Sequence, residues 1–192
     1  MIQREIWLIR HGETAWSLSG QHTGWTDIPL TEEGERQAKA VQPRVAQLKF
    51  AAVYSSPLQR ARRTCELAGL GDQMQLLDDL KEWNYGEMEG LTSKQIQEKI
   101  PGWSVLDQGP TGGETIDQLS DRTANVLAKI DALDGGSLPV AVFAHGHILR
   151  VLTARYLSLV PQQASLFALS TATLSILGWE HGRRAMRLWN KS

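Results

Sequence analysis

The chain has one cysteine, Cys65, in 192 residues. An intrachain disulfide is therefore excluded, and so is a zinc site built on four cysteines. It also lacks a charge excess of either sign: 20 Lys and Arg stand against 21 Asp and Glu, a net charge of −1. A bulk nucleic-acid binder would carry a basic excess, so that class is set aside, although a local basic pocket is not. No uninterrupted apolar run reaches the ~18 residues of a spanning helix, so no membrane span is expected. The leading Met1-Ile2-Gln3-Arg4-Glu5 lacks the apolar core of a secretory signal, which makes a cytoplasmic location the expectation. There is no internal repeat, low-complexity tract or linker. A nucleotide-binding glycine loop is missing too: Gly69-x-Gly71 is followed by Met74, not by a third glycine, and no Walker lysine pattern exists. What remains is an ordinary globular composition, 42% hydrophobic and 21% charged. One domain over residues 1–192 is expected.

The pattern alternates strands and helices. Glu5–Arg10 reads as a strand stopping at His11-Gly12, with a polar loop to Pro29. Thr31 caps a helix carrying Ala38, Val41, Val45 and Leu48, in which Pro43 predicts a break or kink. Ala51–Ser55 is a second strand, and Ser56-Pro57 reads as the cap and first position of a helix to about Gly69. Met74–Leu77 is a short strand, and Asp79–Gly109 is irregular apart from a helix near Ser93–Ile100. A helix runs from about Thr115 to Leu133, a buried strand over Pro139–Ala144, and a helix over His147–Leu159. Thr173–Trp179 and Arg184–Trp189 form a closing hairpin. Such alternation predicts an α/β fold with a mostly parallel sheet covered on both faces.

In such sheets ligands bind beyond the carboxyl ends of the strands. Two strands here end in histidine followed by glycine: Arg10-His11-Gly12 and His145-Gly146-His147. A lone pair of this kind is commonly a loop residue with a satisfied ring; its repetition at two strand ends points to a site. Arg60 falls in the first turn of its helix, and His147 and Arg150 near the start of theirs. A cation there opposes the helix dipole at a cost of ~0.3–1 kcal/mol. Two such helix starts predict an anion bound between them, most simply a phosphate. Arg60 and Arg63 share a helix face while Arg62 points elsewhere, and Arg60 is the favoured site residue. If His11 attacks phosphorus it must be neutral and oriented through its other ring nitrogen. A leaving alkoxide then needs an acid. Glu82, before a glycine-bearing loop with aromatics, is the preferred candidate, with Glu87 and Glu89 as equal rivals by spacing.

At this point the residues resemble a known family. Leu8-Ile9-Arg10-His11-Gly12-Glu13-Thr14 is similar to the signature of the histidine phosphatase superfamily, also called phosphoglycerate mutase-like. Thr23-Gly24-Trp25, Asp27, Leu30-Thr31-Glu32-Glu33-Gly34, Ser55-Ser56-Pro57-Leu58-Gln59-Arg60-Ala61, Glu82-Trp83-Asn84-Tyr85-Gly86, Gly113-Glu114-Thr115 and His145-Gly146-His147 follow in family order. The resemblance spans roughly residues 5–160. It implies a three-layer α/β/α sandwich and phosphoryl transfer through phosphohistidine. It makes His11 the nucleophile, with Arg10, Arg60 and His145 as the phosphate pocket and Glu82 as general acid and then base. It further assigns Thr23 and Gly24 to the substrate loop and Gly146 to a backbone N–H on the phosphate. No metal and no cofactor are implied, because arginines supply the positive charge.

Some segments depart from the mutases of that family. Ser17 stands where they usually carry asparagine. The short stretch between Glu82 and Glu114 has no arginine, whereas mutases carry a long insertion with paired arginines there. A mutase must also shield its phosphoenzyme from water, and fewer covering loops suit hydrolysis. The segment Trp16–Gly24, the loop Trp83–Gly90 and His145-Gly146-His147 resemble the sedoheptulose-1,7-bisphosphatase-like branch, which implies a sugar phosphate or bisphosphate. On that resemblance Gln21 and His22 line the mouth and Ser17 bonds a phosphate oxygen. The expected partner is a small phosphorylated substrate, with no nucleic acid and no membrane; a homo-oligomer is left open. Three rivals stand beside this reading. One is a phosphoglycerate mutase. Another is a non-catalytic phospho-ligand module, against which the presence of His11, Arg10, Arg60, Glu82 and His145 argues. The third is a metal hydrolase on His145-x-His147, which lacks a following acidic ligand and has Arg150 beside it.

Overall fold

The structure is a computed structural model and describes residues 3–134 and 136–192. Its strands are β1 (Ile6–Arg10), β2 (Ala52–Ser55), β3 (Met74–Leu76), β4 (Val140–Ala144), β5 (Leu174–Glu180) and β6 (Arg183–Lys191). They form one sheet in the order β3-β2-β4-β1-β5-β6. Pairs β3–β2, β2–β4 and β4–β1 are parallel, while β1–β5 and β5–β6 are antiparallel. The seven helices described are α1 (Ala15–Ser19), α2 (Glu32–Val45), α3 (Gln59–Leu67), α4 (Ser93–Lys99), α5 (Val105–Gln108), α6 (Ile116–Asp131) and α7 (Gly146–Tyr156).

Strand alternation sends successive side chains to opposite faces. Ile6 and Leu8 of β1 and Val140, Val142 and Ala144 of β4 pack with Leu119, Leu127, Ile148 and Leu152 of α6 and α7. Ile9, Ala141 and Phe143 pack on the other face with Val41, Val45 and Cys65 of α2 and α3. The result is the expected three-layer α/β/α arrangement. Because β4 has both faces covered, it reads as an unbroken apolar run.

Several local expectations are corrected. Leu58, not Ser56, caps α3, and it offers no side-chain cap; the Ser56 hydroxyl is instead within reach of His145. Pro43 does not break α2, because it lies in the last turn, where its missing N–H removes one hydrogen bond close to the helix end. Leu48 lies beyond that end. The loop before Pro29 contains α1, closed by a capping box between Thr14 and Ser17. The segment Asp79–Gly109 also contains α5. The closing hairpin turns at His181 and Gly182, whose φ values of 46° and 77° match the strand twist of a two-residue turn.

Candidate active site

Register brings the two His-Gly pairs together. Arg10 of β1 lies opposite Ala144 of β4, so the next residues, His11 and His145, leave adjacent strand ends. Their rings stand 5.1 Å apart. His11 Nδ1 lies 2.7 Å from the Gly12 carbonyl, which only accepts, so Nδ1 carries the proton and Nε2 keeps its lone pair. The Gly12 N–H donates to Thr64 Oγ1 on α3 at 3.0 Å. Gly12 is required by close approach: a Cβ there would meet the Gly34 carbonyl oxygen at 2.3 Å. The loop that carries His11 is thus seated directly on the first turn of α2.

Arg60 is completely buried beneath this pair. Its Nε donates to His145 Nδ1 at 3.0 Å, and His145 Nε2 stands 2.8 Å from Ser56 Oγ. Its remaining donors hold the carbonyls of Thr23 (3.2 Å), Gly24 (2.8 Å) and Thr26 (3.0 Å). From the opposite side the Glu89 carboxylate accepts the N–H groups of Trp25 and Thr26 and the Thr26 hydroxyl. Loop 22–27 is therefore gripped by its carbonyls below and its amides above. Both Glu89 oxygens are taken up in this way, while Glu87 is exposed.

Glu82 is buried and caps α7. Its Oε1 accepts from Trp83 N and Ile148 N, and its Oε2 from His147 N, each at 2.9 Å. Asp27 Oδ1 accepts from Gln59 N at 2.8 Å at the start of α3. At both helix starts a carboxylate of the chain itself takes backbone N–H groups, Asp27 at α3 and Glu82 at α7. Gly146 supplies the first-turn N–H of α7 that Glu82 does not take.

One cavity is lined by Arg10, His11, Ser17, Gln21, His22, Thr23, Glu82, Tyr85, Gly146, His147, Arg150 and Leu169. Of the residues singled out in the sequence, it gathers Arg10, His11, Ser17, Gln21, His22, Thr23, Glu82 and Gly146. Gly24, Arg60 and His145 lie behind its wall. The Ser17 hydroxyl is engaged with Thr14 in the capping box, and Gln21 Nε2 donates to the Gly90 carbonyl at 2.7 Å. Arg10 donates through Nη1 to the Leu169 carbonyl, while its buried Nε–H has no protein partner. Such a donor is left ready for an anion. The Cβ position built on Gly146 would fall 3.5 Å from Arg10 Cζ and 3.6 Å from Glu82 Oε2, so guanidinium, carboxylate and helix start meet at one spot.

Tyr85, His147, Arg150 and Leu169 complete the wall. The charge of Arg150 and the imidazole of His147 were visible at a helix start; Tyr85 was hidden among loop aromatics, and Leu169 carries no sequence signal. Arg150 Nη1 lies 3.4 Å from His147 Nε2, and the Tyr85 hydroxyl 2.6 Å from His147 Nδ1. A guanidinium only donates, so His147 Nε2 accepts and Nδ1–H donates to the Tyr85 oxygen. His145 and His147 thus turn to different partners, and among the described residues no group of three or more His, Cys, Asp or Glu is placed to hold a metal ion.

Electrostatics keep the imidazoles neutral. Burial, then the Arg60 and Arg10 charges, hold His11 well below the ordinary histidine value of 6.5, against the opposing Gly12 hydrogen bond. Burial and Arg60 do the same to His145, and burial and Arg150 to His147. Burial also lowers His22. The Tyr85 phenol is pushed well up by burial and then by Glu82, so it stays protonated. Burial lowers the Arg10 guanidinium, with Glu82 opposing.

The chain is similar to known proteins over nearly its whole length. The family model described as histidine phosphatase superfamily (branch 1) matches residues 6–192. An acid phosphatase of Mycobacterium tuberculosis is 40% identical over 182 residues, covering 93% of this chain and 88% of that protein. Sedoheptulose 1,7-bisphosphatase of Saccharomyces cerevisiae is 34% identical over 185 residues, covering 81% and 68%. Among solved structures, the product of an open reading frame of Mycobacterium tuberculosis superposes with a TM-score of 0.92 at 36% identity, covering 98% of both chains. A mycobacterial glucosyl-3-phosphoglycerate phosphatase in complex with VO3 gives 0.89 at 26% identity, covering 98% of this chain and 100% of that one. No described helix is long and apolar enough to cross a membrane.

Proposed function

The chain belongs to the histidine phosphatase superfamily, branch 1, and is a phosphatase; from that premise we propose that it hydrolyses small phosphorylated metabolites, sugar phosphates and bisphosphates, through a phosphohistidine at His11. The observation that carries the reading is the neutral His11 ring, held through Nδ1 with Nε2 free, on a cavity shared with the unpartnered Arg10 Nε–H. Nε2 attacks phosphorus as the bond to the leaving oxygen breaks. The positive charge gathering on the imidazole is shared with the Gly12 carbonyl. Arg10 takes the phosphoryl oxygens, where charge is held in place without solvent reorganisation. Arg60 acts from behind, by its charge, by holding loop 22–27 and by orienting the neutral His145 ring.

Glu82 gives a proton to the leaving oxygen and in the second half-reaction takes one from water, which attacks the phosphohistidine and releases inorganic phosphate. Its Oε2, with one N–H bond, is the oxygen for that role, beside Gly146 and Arg10. Thr23, Ser17, Gln21 and His22 stand on the mouth side of the same cavity. Arg150 gives the cavity a second guanidinium, which suits a second phosphate group.

A phosphate-release screen over sugar monophosphates, sugar bisphosphates and glycerate phosphates, run with a metal chelator, tests this reading. Phosphate release that the chelator leaves unchanged is expected. Full loss of activity with chelator would overturn it, and so would efficient interconversion of phosphoglycerate isomers with a bisphosphoglycerate primer and little free phosphate.

A further inference from the structure

Behind Glu82, on the side away from the cavity, lies a guanidinium with every donor engaged. Arg122 of α6 donates through Nε to Glu114 Oε1 at 2.6 Å and through Nη2 to Glu114 Oε2 at 2.7 Å. Its Nη1 donates to the carbonyls of Asp79 and Lys81, both at 2.8 Å, and its Nη2 to that of Glu82 at 3.3 Å. Five N–H bonds go to five oxygens, the full capacity of the group. Side-chain exposure is 16% for Arg122 and 11% for Glu114, so the ion pair is largely shielded from water.

Glu114 extends the frame past Glu82. Its carbonyl accepts Trp83 Nε1–H at 2.7 Å, and its N–H donates to the Asn84 carbonyl at 2.9 Å. Trp25 Nε1–H reaches the Glu82 carbonyl at 2.9 Å from loop 22–27. The main chain is therefore fixed at 79, 81, 82 and 84, and the Trp83 side chain is held between them. None of these bonds touches the cavity. Neither Arg122 nor Glu114 lines it.

We infer that Arg122, paired with Glu114, is a positioning residue for the proton transfer at Glu82. The inference rests on Glu82 being the general acid. The Glu82 carboxylate is tied to α7 at its tip, but the reach of its side chain depends on where its own backbone sits. A planar fork that spans three carbonyls and one carboxylate sets that position; a lysine ammonium, one point charge on a flexible stem, cannot. An error of about 1 Å in such a group costs about 100-fold in rate. The loss falls only where the leaving oxygen needs a proton.

The test is the dependence of kcat/KM on leaving group for p-nitrophenyl, phenyl and benzyl phosphate. It uses the wild type, Arg122→Lys, Glu114→Gln, Glu82→Gln and the double variant Arg122→Lys/Glu82→Gln, each checked by thermal melting. Arg122→Lys and Glu114→Gln are expected to cut benzyl phosphate turnover about 100-fold while leaving p-nitrophenyl phosphate within about 3-fold, steepening the dependence as Glu82→Gln does. In the Glu82→Gln background the Arg122→Lys penalty on benzyl phosphate should vanish, because the two act through one proton transfer. Equal losses on all three substrates, or full additivity in the double variant, would show a merely structural role and overturn the inference. An unchanged leaving-group dependence in Glu82→Gln alone would show that Glu82 is not the acid, and the positioning role would fall with it.

Discussion

Arg60 Nε donates to His145 Nδ1 at 3.0 Å, and this one bond decides which nitrogen of His145 carries its proton. Because a guanidinium cannot accept, Nδ1 must, and the proton sits on Nε2, which donates to Ser56 Oγ at 2.8 Å. A histidine next to His11 is thereby fixed in tautomer and orientation. The same arginine holds the Thr23, Gly24 and Thr26 carbonyls, so the histidine and the mouth loop share one support.

Arg60→Lys therefore damages both. One ammonium cannot serve His145 and three carbonyls, and buried acceptors left without donors cost ~1–3 kcal/mol each. The expected outcome is a fall in urea-unfolding free energy of about 2–3 kcal/mol with a drop in kcat/KM. Unfolding curves and kinetics that match the wild type would contradict the support role.

The buried neutral histidines make stability depend on pH. His11, His145 and His147 are all held well below 6.5 in the fold. Below about 6.5 the unfolded chain binds protons at these positions that the folded chain does not, so stability must fall as pH falls. The contribution is complete above that value and is lost progressively below it. Urea midpoints measured between pH 7.5 and 5 should decline, and His147→Gln should flatten the decline. Midpoints independent of pH, with no change in His147→Gln, would show that these rings are not kept neutral.

Arg150 is the second guanidinium on the cavity wall, beside Arg10. Its Nε is held by the Ala164 carbonyl at 3.0 Å, which aims the head beside His147. Arg150→Ala should raise KM for sugar bisphosphates at least about 10-fold, the loss of one charge-assisted contact. It should change KM for sugar monophosphates much less. Equal changes for the two classes would remove the second-phosphate role.

The sequence showed the sheet and the edge that carries the candidate site because the signals there are strong: an apolar run ending in His145-Gly146, and β1 ending in His11-Gly12. Spacing alone left Glu82, Glu87 and Glu89 as equals, with Glu82 preferred; in the fold Glu89 is taken up by loop 22–27 and Glu87 is exposed. Those assignments depend on contacts across some 60 residues of chain, such as Trp25 N to Glu89 at a separation of 64, and no local pattern encodes them. Arg60 was legible as the inward arginine of its helix, but its place beneath the cavity wall was not, because first-turn spacing fixes a face and not a depth. Asp27 and Glu82 as caps of α3 and α7 were missed for the same reason. Helix α1 was missed although its Thr14–Ser17 cap stands in the sequence, because five residues are too few for a periodic signal.

The proposed route takes phosphate through His11. The most direct measurement is rapid acid-free quenching of the enzyme with a radiolabelled phosphorylated substrate, followed by peptide mapping. The expected result is a phosphoenzyme that is stable in base, lost in acid, located on His11 and absent from His11→Ala, which should also lose turnover. Label on another residue, or undiminished turnover by His11→Ala, would contradict it.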